Sequence, residues 1–381
     1  MNKQKPLSTP TISIDATALN AQRTGTVTYV TEILACVNRA PSLNYRFVLF
    51  VTRNNRHHFE VLALDDRFTL IQAPSGRLAR LLWQQSIMIW HIWRSGADVH
   101  WGPTFVLPWI TPCPCVVTVH DMTFDLYPQA HERTKRLYFP LMIRLAVKRA
   151  KAVLAISVNT ANDLNRLVPT SQTKTLVTWL AATPVQCLKE PSLSALLPIE
   201  PPFVLSVGTL EPRKNLPRLL EAWQQLSAEQ RRGNRLLVVG ATGWLVGDMA
   251  ARVGDDASVV FAGHVSDDQL AACLQAATSF VYPSLYEGFG LPVLEAMAAG
   301  VPVLTSGVGA TLEVAGDAAL LVDPESVPEI REGLLRLLAD GQLRAQLTKA
   351  GRARAAQFSW QQTTEKTLAA IVQAIGQRSG H

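Results

Sequence analysis

Apolar runs of strand length alternate with segments of helical periodicity twice along this chain, and a proline-rich stretch separates the two series. In the first half, strand-like runs occur at about 11–19, 45–52, 68–74, 97–102, 115–121 and 151–157. Helical patterns fill the intervals from Gly25 to Ala40, from Arg77 to Arg94 and from His131 to Ala150. The pattern lapses at 183–202, where Pro184, Pro191, Pro198, Pro201 and Pro202 fall. It restarts with FVLSVGTL (203–210), RLLVVG (235–240), SVVFAG (258–263), ATSFVYPS (277–284) and VPVLTS (301–306). Helices are expected from about Leu216, Trp244 and Ser266. Strands alternating with helices build βαβ units and parallel sheets. The expected architecture is therefore α/β, two Rossmann-like doubly wound domains. The first spans 1–182, 183–202 is a linker, and the second spans 203–358. A last helical segment at 359–381 is expected to cross back to the first domain.

Composition agrees with buried parallel strands: 48% of residues are hydrophobic and 17% charged. The N-terminal MNKQKPLSTP has no apolar stretch behind its lysines, so no secretory signal peptide is expected. No apolar run approaches the roughly 18 residues of a membrane-spanning helix. Five cysteines without zinc spacing suggest a reducing, cytoplasmic setting. A net charge of +6 calls for an anionic partner. Nucleic acid has no supporting motif, which leaves phosphorylated small molecules or an acidic membrane surface.

Ligands of open parallel sheets bind beyond the carboxyl ends of the strands, and three segments qualify. In GTLEPRKNLPRLLEAW (208–223), Arg213 and Lys214 precede a helix. Two cations at a helix N-terminus can hold an anion, although the same pair can also be solvated surface charge. In PSLYEGFGLPVLEAMAAGVPVLTS (283–306), Gly288 and Gly290 admit a close backbone approach and Pro292 suits a first helical turn. Amides around Phe289 to Leu291 would then face a diphosphate. Glu287 and Glu295, eight positions apart, are acceptors suited to sugar and ribose hydroxyls. In CVVTVHDMTF (115–124), His120 and Asp121 end a buried strand; such a His is either structural or functional.

The stretch EGFGLPVLE, with a Glu at each end and seven residues between, resembles the signature of retaining glycosyltransferases of family 4. VGTLEPRKNL and GDAALLVDP extend the resemblance through the C-terminal half, and DATALNAQRTGTVTYV and VTVHDMTF carry it into the first. It implies a GT-B fold, with the nucleotide-sugar donor held mainly by the C-terminal domain and the acceptor by the N-terminal one across a cleft. Arg213 and Lys214 would hold the diphosphate, Glu295 the ribose and Glu287 the transferred sugar. The backbone from Gly288 through Phe289 and Gly290 to Leu291 would cradle sugar and phosphate. His120 would lie near the anomeric centre, Gly25 would approach the phosphates, and Asp121 is the nearest candidate general base. Two departures stand out: the loop at Arg23-Thr24-Gly25-Thr26 lacks the Arg that such proteins often carry after this Gly, and Ala310-Thr311-Leu312-Glu313 replaces a common Leu-Pro-Glu.

The resemblance implies transfer with retention, no metal and no cofactor beyond the nucleotide-sugar co-substrate. The donor is expected to be a GDP-sugar carrying mannose or a deoxymannose. The expected acceptor is a lipid-linked glycan of O-antigen type. The segments 77–94 and 133–151 combine cations with Trp, Leu and Ile, and suit either crossover helices or peripheral contact with the anionic inner face of a membrane. A nucleotide-sugar epimerase of similar fold, or a non-catalytic binding homologue, is the alternative.

Overall fold

The computed structural model describes residues 9–183, 199–241, 243, 253–254 and 256–376. Most of the expected linker at 183–202 lies outside these residues, as do Cys187 and the start of the helix expected from Trp244. The chain divides into two units. Residues 1–122, 133–180 and 360–381 form the first, and residues 123–132 and 181–359 the second.

The first unit is built on β1 (Thr11–Asp15), β2 (Arg46–Thr52), β3 (Phe68–Ala73), β4 (Val99–Gly102), β5 (Cys115–Val119), β6 (Ala152–Ala155) and β7 (Thr175–Val177). They form one parallel sheet in the order β3-β2-β1-β4-β5-β6-β7. Every residue of β1, β4, β5 and β6 is buried, because helices cover both faces and no position alternates toward water. The second unit repeats the plan with β8 (Phe203–Val207), β9 (Arg235–Val239), β10 (Val259–Gly263), β11 (Ser279–Tyr282), β12 (Val303–Ser306) and β13 (Leu320–Val322). Their order is β10-β9-β8-β11-β12-β13, again parallel throughout. Leu219, Leu220 and Trp223 of the helix Leu216–Gln224 pack with Ile330 and Leu334 of the helix Val327–Ala339 over Val204 and Leu236. Both sheets are thus doubly wound, Rossmann-like and α/β. Each reverses its winding at one place, between β1 and β4 and between β8 and β11, the position at which open parallel sheets bind their ligands.

Two details differ from the sequence reading. The segment 77–94 is not one helix but two, Arg77–Gln84 and Ile87–Arg94. Ser86 leaves helical geometry (φ −138°, ψ −80°) and its Oγ donates back to the Leu82 carbonyl, a local bond that competes with helix continuation. Residues 123–132 group with the second unit, although they fall inside the 1–182 boundary. Within that unit Tyr127 lies 5.3 Å from the Tyr286 ring and its hydroxyl donates to the Leu285 carbonyl. The helix Trp360–Gly376 belongs to the first unit, where Thr363 Oγ1 donates to the Trp179 carbonyl. Among the described residues no helix is long and apolar enough to cross a membrane.

Candidate active site

The site of the second unit assembles where its sheet reverses. The chain leaves β8 at Gly208, makes a short 3-10 turn at Pro212–Lys214, and enters the helix Leu216–Gln224 through Asn215. Asn215 is left-handed (φ 61°), a conformation that Asn tolerates better than most side chains. Its buried amide donates to the Pro283 carbonyl at 2.9 Å and to that of Pro324 at 2.5 Å. One side chain therefore ties the loop after β8 to those after β11 and β13. The same loop is crowded from β9: a Cβ on Gly240, at φ +154°, would sit 2.0 Å from the Gly208 carbonyl oxygen.

That frame brings Arg213 and Lys214 onto Glu287, which follows β11. Arg213 Nη1 donates to Glu287 Oε2 at 2.6 Å, and Lys214 Nζ to Oε1 at 2.7 Å. Tyr282 donates its hydroxyl to the same Oε1 at 2.8 Å, and accepts from Lys214 Nζ at 2.5 Å. Ser284 Oγ lies 2.7 Å from Oε1 and 2.8 Å from the Arg213 carbonyl. A second buried acid, Glu211, takes Arg213 Nη2 at 2.6 Å. Two carboxylates thus balance two cations before any ligand arrives.

Electrostatics follow from burial and pairing. Burial alone would raise the Glu287 carboxyl, but Arg213, Lys214 and the hydrogen bonds of Lys214 and Ser284 outweigh it and hold it at about 2. Burial, and then the neighbouring Arg213, lower the Lys214 ammonium. Burial and the Glu287 charge push the Tyr282 phenol well up, so it stays a donor. Arg213 and Lys214 keep 19% and 15% side-chain exposure against 8% for Glu287. The cations therefore reach the surface in front of the acid. Glu287 Oε1 accepts from Lys214, Tyr282 and Ser284, whereas Oε2 accepts from Arg213 Nη1.

Beyond Glu287 the chain turns through Gly288, Phe289 and Gly290 into the helix Leu291–Ala299. Gly290 caps it in the left-handed region (φ 102°), with no side-chain cap and Pro292 in the first turn. An uncapped N-terminus at a sheet reversal suits an anion. Phe289 itself is buried edge-on against Phe358 at 5.9 Å, so its ring belongs to the core. Glu295 is half-buried on the second turn of this helix.

His120, Asp121 and Gly25 belong to the first unit. His120 follows β5, and its ring meets Tyr29 edge-on at 5.3 Å. Nε2 lies 2.7 Å from the Pro103 carbonyl, which can only accept, so Nε2 carries the proton and Nδ1 the lone pair. Burial lowers its pKa and keeps it neutral. Asp121 is half-buried beside it. Gly25, itself exposed, opens the helix Gly25–Asn38, which Thr24 caps through Val27 N–H.

The sequence reading named the cations and Glu287 separately, and the structure makes them one cluster. It missed Glu211, Tyr282, Ser284 and Asn215. Tyr282 was hidden in a buried strand run; Asn215, placed before a proline-led helix, was the one readable signal.

Comparison with known proteins places these residues in context. Residues 194–354 match the family described as glycosyl transferases group 1, and residues 23–177 match glycosyltransferase family 4. The O-antigen chain mannosyltransferase B of Escherichia coli is 35% identical over 280 residues, covering 71% of this chain and 73% of that protein. The serotype-specific mannosyltransferase WbdA of Escherichia coli is 29% identical over 283 residues; the match covers 70% of this chain but only 34% of WbdA. Among solved structures, sucrose-phosphate synthase from Thermosynechococcus elongatus superposes with a TM-score of 0.76 at 20% identity, over 97% of this chain and 100% of that one, which speaks to the fold.

Proposed function

Because the chain belongs to the group 1 glycosyl transferases, with family 4 matched in its first half, we propose that it moves mannose from GDP-mannose to a lipid-linked glycan of O-antigen type, with retention of configuration. The observation that carries a donor site is the Arg213–Lys214–Glu287 cluster at the reversal point of the second sheet, in the unit that also holds the uncapped helix Leu291–Ala299. The mannosyl choice and the acceptor rest on the relatives' names.

Breaking a sugar–phosphate bond builds negative charge on the departing diphosphate and positive charge on the sugar. Arg213 and Lys214 answer the first, already aimed by Glu287 and Glu211, so little reorganisation is needed when charge develops. The backbone of Gly288–Leu291 adds amide donors to the same anion. In this reading Glu287 Oε2 accepts a sugar hydroxyl and Glu295 the ribose hydroxyls. His120, neutral with Nδ1 as acceptor, stands by the anomeric centre, Gly25 admits the phosphates, and Asp121 serves as general base. No metal or further cofactor is assigned. We place the enzyme on the cytoplasmic face of the membrane, in keeping with the free thiols of Cys36, Cys113, Cys115 and Cys273. No observation favours the epimerase or non-catalytic alternatives.

The test is thermal shift with GDP, UDP, ADP and TDP, followed by transfer from the matching sugar conjugate to a detergent-solubilised lipid-linked acceptor. GDP at about 100 times its Kd should stabilise the fold by about 2.7 kcal/mol. Equal shifts with all four nucleotides, or no transfer from GDP-mannose, would overturn the donor assignment.

A further inference from the structure

The helix Arg77–Gln84 buries Trp83 but turns two leucines outward. Leu78 and Leu82, one turn apart, are 71% and 63% exposed, whereas Gln84 is 2% exposed. A crossover helix ordinarily buries its leucines. Here the inward side carries Trp83 together with polar groups that reach a buried acid and its neighbour. Gln84 Nε2 donates to Asp15 Oδ2 at 2.7 Å and to Thr17 Oγ1 at 2.9 Å, and Arg80 Nη1 donates to the Thr17 carbonyl at 3.0 Å. Rolling the helix to hide its leucines would break all three bonds, leave Asp15 only its bonds from Thr17, and pull Trp83 out of the core. The exposure is therefore fixed by the core.

The exposed surface does not stop there. Trp93, on the next helix, is 68% exposed, and Trp109, on the loop after β4, is 69% exposed. Three contacts join these pieces. Trp109 N–H donates to Gln85 Oε1 at 2.8 Å, Arg149 donates to the Pro108 carbonyl, and Phe105 meets Phe139 edge-on at 5.1 Å. The last two bring in the helix Arg133–Arg149, which leaves Leu137 and Leu141 exposed. Charge is one-sided: the segments 77–94, 103–112 and 133–149 contain no Asp or Glu, while arginines and lysines flank the apolar residues. Exposed Trp and Leu side chains on helices that carry cations and no acids match an anionic bilayer, in which indoles sit at the headgroup level and cations meet the lipid charge.

We infer that the faces of Arg77–Arg94, Trp109–Ile110 and Leu137–Leu141 form one docking surface that inserts shallowly into an anionic lipid bilayer. This deepens the lipid-linked acceptor reading, because it gives the enzyme a way to meet such an acceptor in its own membrane.

The experiment is co-sedimentation of the full chain with vesicles of phosphatidylcholine alone or with about 30% phosphatidylglycerol, a content in the range where basic interfacial elements respond to charge. Wild type should bind the anionic vesicles at least about tenfold more tightly, with a blue shift of Trp emission. The variant L82S/W93S/W109S should lose at least about tenfold of that binding while keeping the GDP thermal shift and transfer in detergent, which show that it is folded. Wild type indifferent to vesicles, or the triple variant binding as well as wild type, would overturn the inference. So would a dimer in light scattering that the triple variant dissolves without any vesicle binding, since the face would then belong to a second copy. Vesicle binding that survives a failed GDP shift would instead sink the donor reading alone.

Discussion

Replacing Glu287 by Gln keeps the shape of the side chain and removes the charge that organises the donor site. The structure sets the size of the effect. An ordinary Glu near 4.5 is held here at about 2, and that difference corresponds to roughly 3 kcal/mol favouring the folded, ionised form. Removing one partner of a buried ion pair costs about 3–5 kcal/mol by mutational experience, so the two routes agree. Gln also turns an amide donor toward Lys214, Arg213 or Tyr282, all of which are donors already. The loss should fall on the second unit alone. For a unit of that size 1 kcal/mol moves the melting point by about 2–4 °C, so a calorimetric transition assigned to it should drop by about 6–12 °C. The sign with pH is fixed too: a depressed carboxyl pKa gives stability that is complete above 4.5 and is lost as pH falls toward 2. Wild type should therefore lose part of its advantage over E287Q through that window. An E287Q transition within about 2 °C of wild type at pH 7 would refute the claim that Glu287 anchors the two cations, on the same scale.

Other outcomes follow from the same geometry. Lys214→Ala should lower kcat for transfer by about 100- to 1000-fold with GDP binding only weakened, as for loss of one preorganised donor; a loss under about tenfold would remove Lys214 from leaving-group stabilisation. Gly290→Ala should destabilise the second unit by about 1–2 kcal/mol, because φ is 102° there while the nearest side-chain atom, Thr311 Cγ2, leaves 3.5 Å for the new methyl; an unchanged melting point would show that the helix entry relaxes. For His120, burial keeps the folded ring neutral below the ordinary 6.5, so kcat/KM should run flat through pH 6.5 and decline only at lower pH. The linked stability is lost as pH falls below 6.5, where the unfolded ring takes up a proton. An inflection in kcat/KM at or above 6.5 that vanishes in His120→Ala would contradict this assignment.

Strands buried on both faces were the easiest part of the fold to read, because parallel sheets write continuous apolar runs that need no period. Their carboxyl ends were overrun, and the reason is instructive. TISIDATAL reads as one strand, yet pairing stops at Asp15, which turns the chain by accepting from Thr17 N–H and Oγ1. β7 was missed because it has only three residues, Thr175–Val177, held to β6 by pairing that no local signal announces. The site was legible where it lies on one loop and illegible where it depends on two. Arg213 and Lys214 are adjacent in sequence, but their counter-ion Glu287 stands more than 70 positions away, and only the strand order β8-β11 makes them neighbours. Tyr282 shows the same limit. Its ring belongs to a strand and reads as core, and its hydroxyl matters only once Lys214 is brought across.

The segment Arg77–Arg94 shows why an apolar stripe does not name its own direction. Periodicity places Leu78 and Leu82 on one face and Arg80 and Gln84 on the other, and burial of the leucines is the default expectation. The core overrules it, because the inward side carries Trp83, buried in the core, together with Gln84 and Arg80, whose donors reach Asp15 and Thr17. Turning the two leucines inward would bring Trp83 out to water and leave Asp15 with only its bonds from Thr17. Gln84 and Arg80 settle the balance by reaching Thr17 and, through Gln84, Asp15 itself. The second helix then packs conventionally, with Met88 and Ile92 inside against Phe50 and Trp83, while Trp90 and Trp93 continue the outward apolar face. A core indole and the acid that ends a strand thus together decide which side of a neighbouring helix is left exposed.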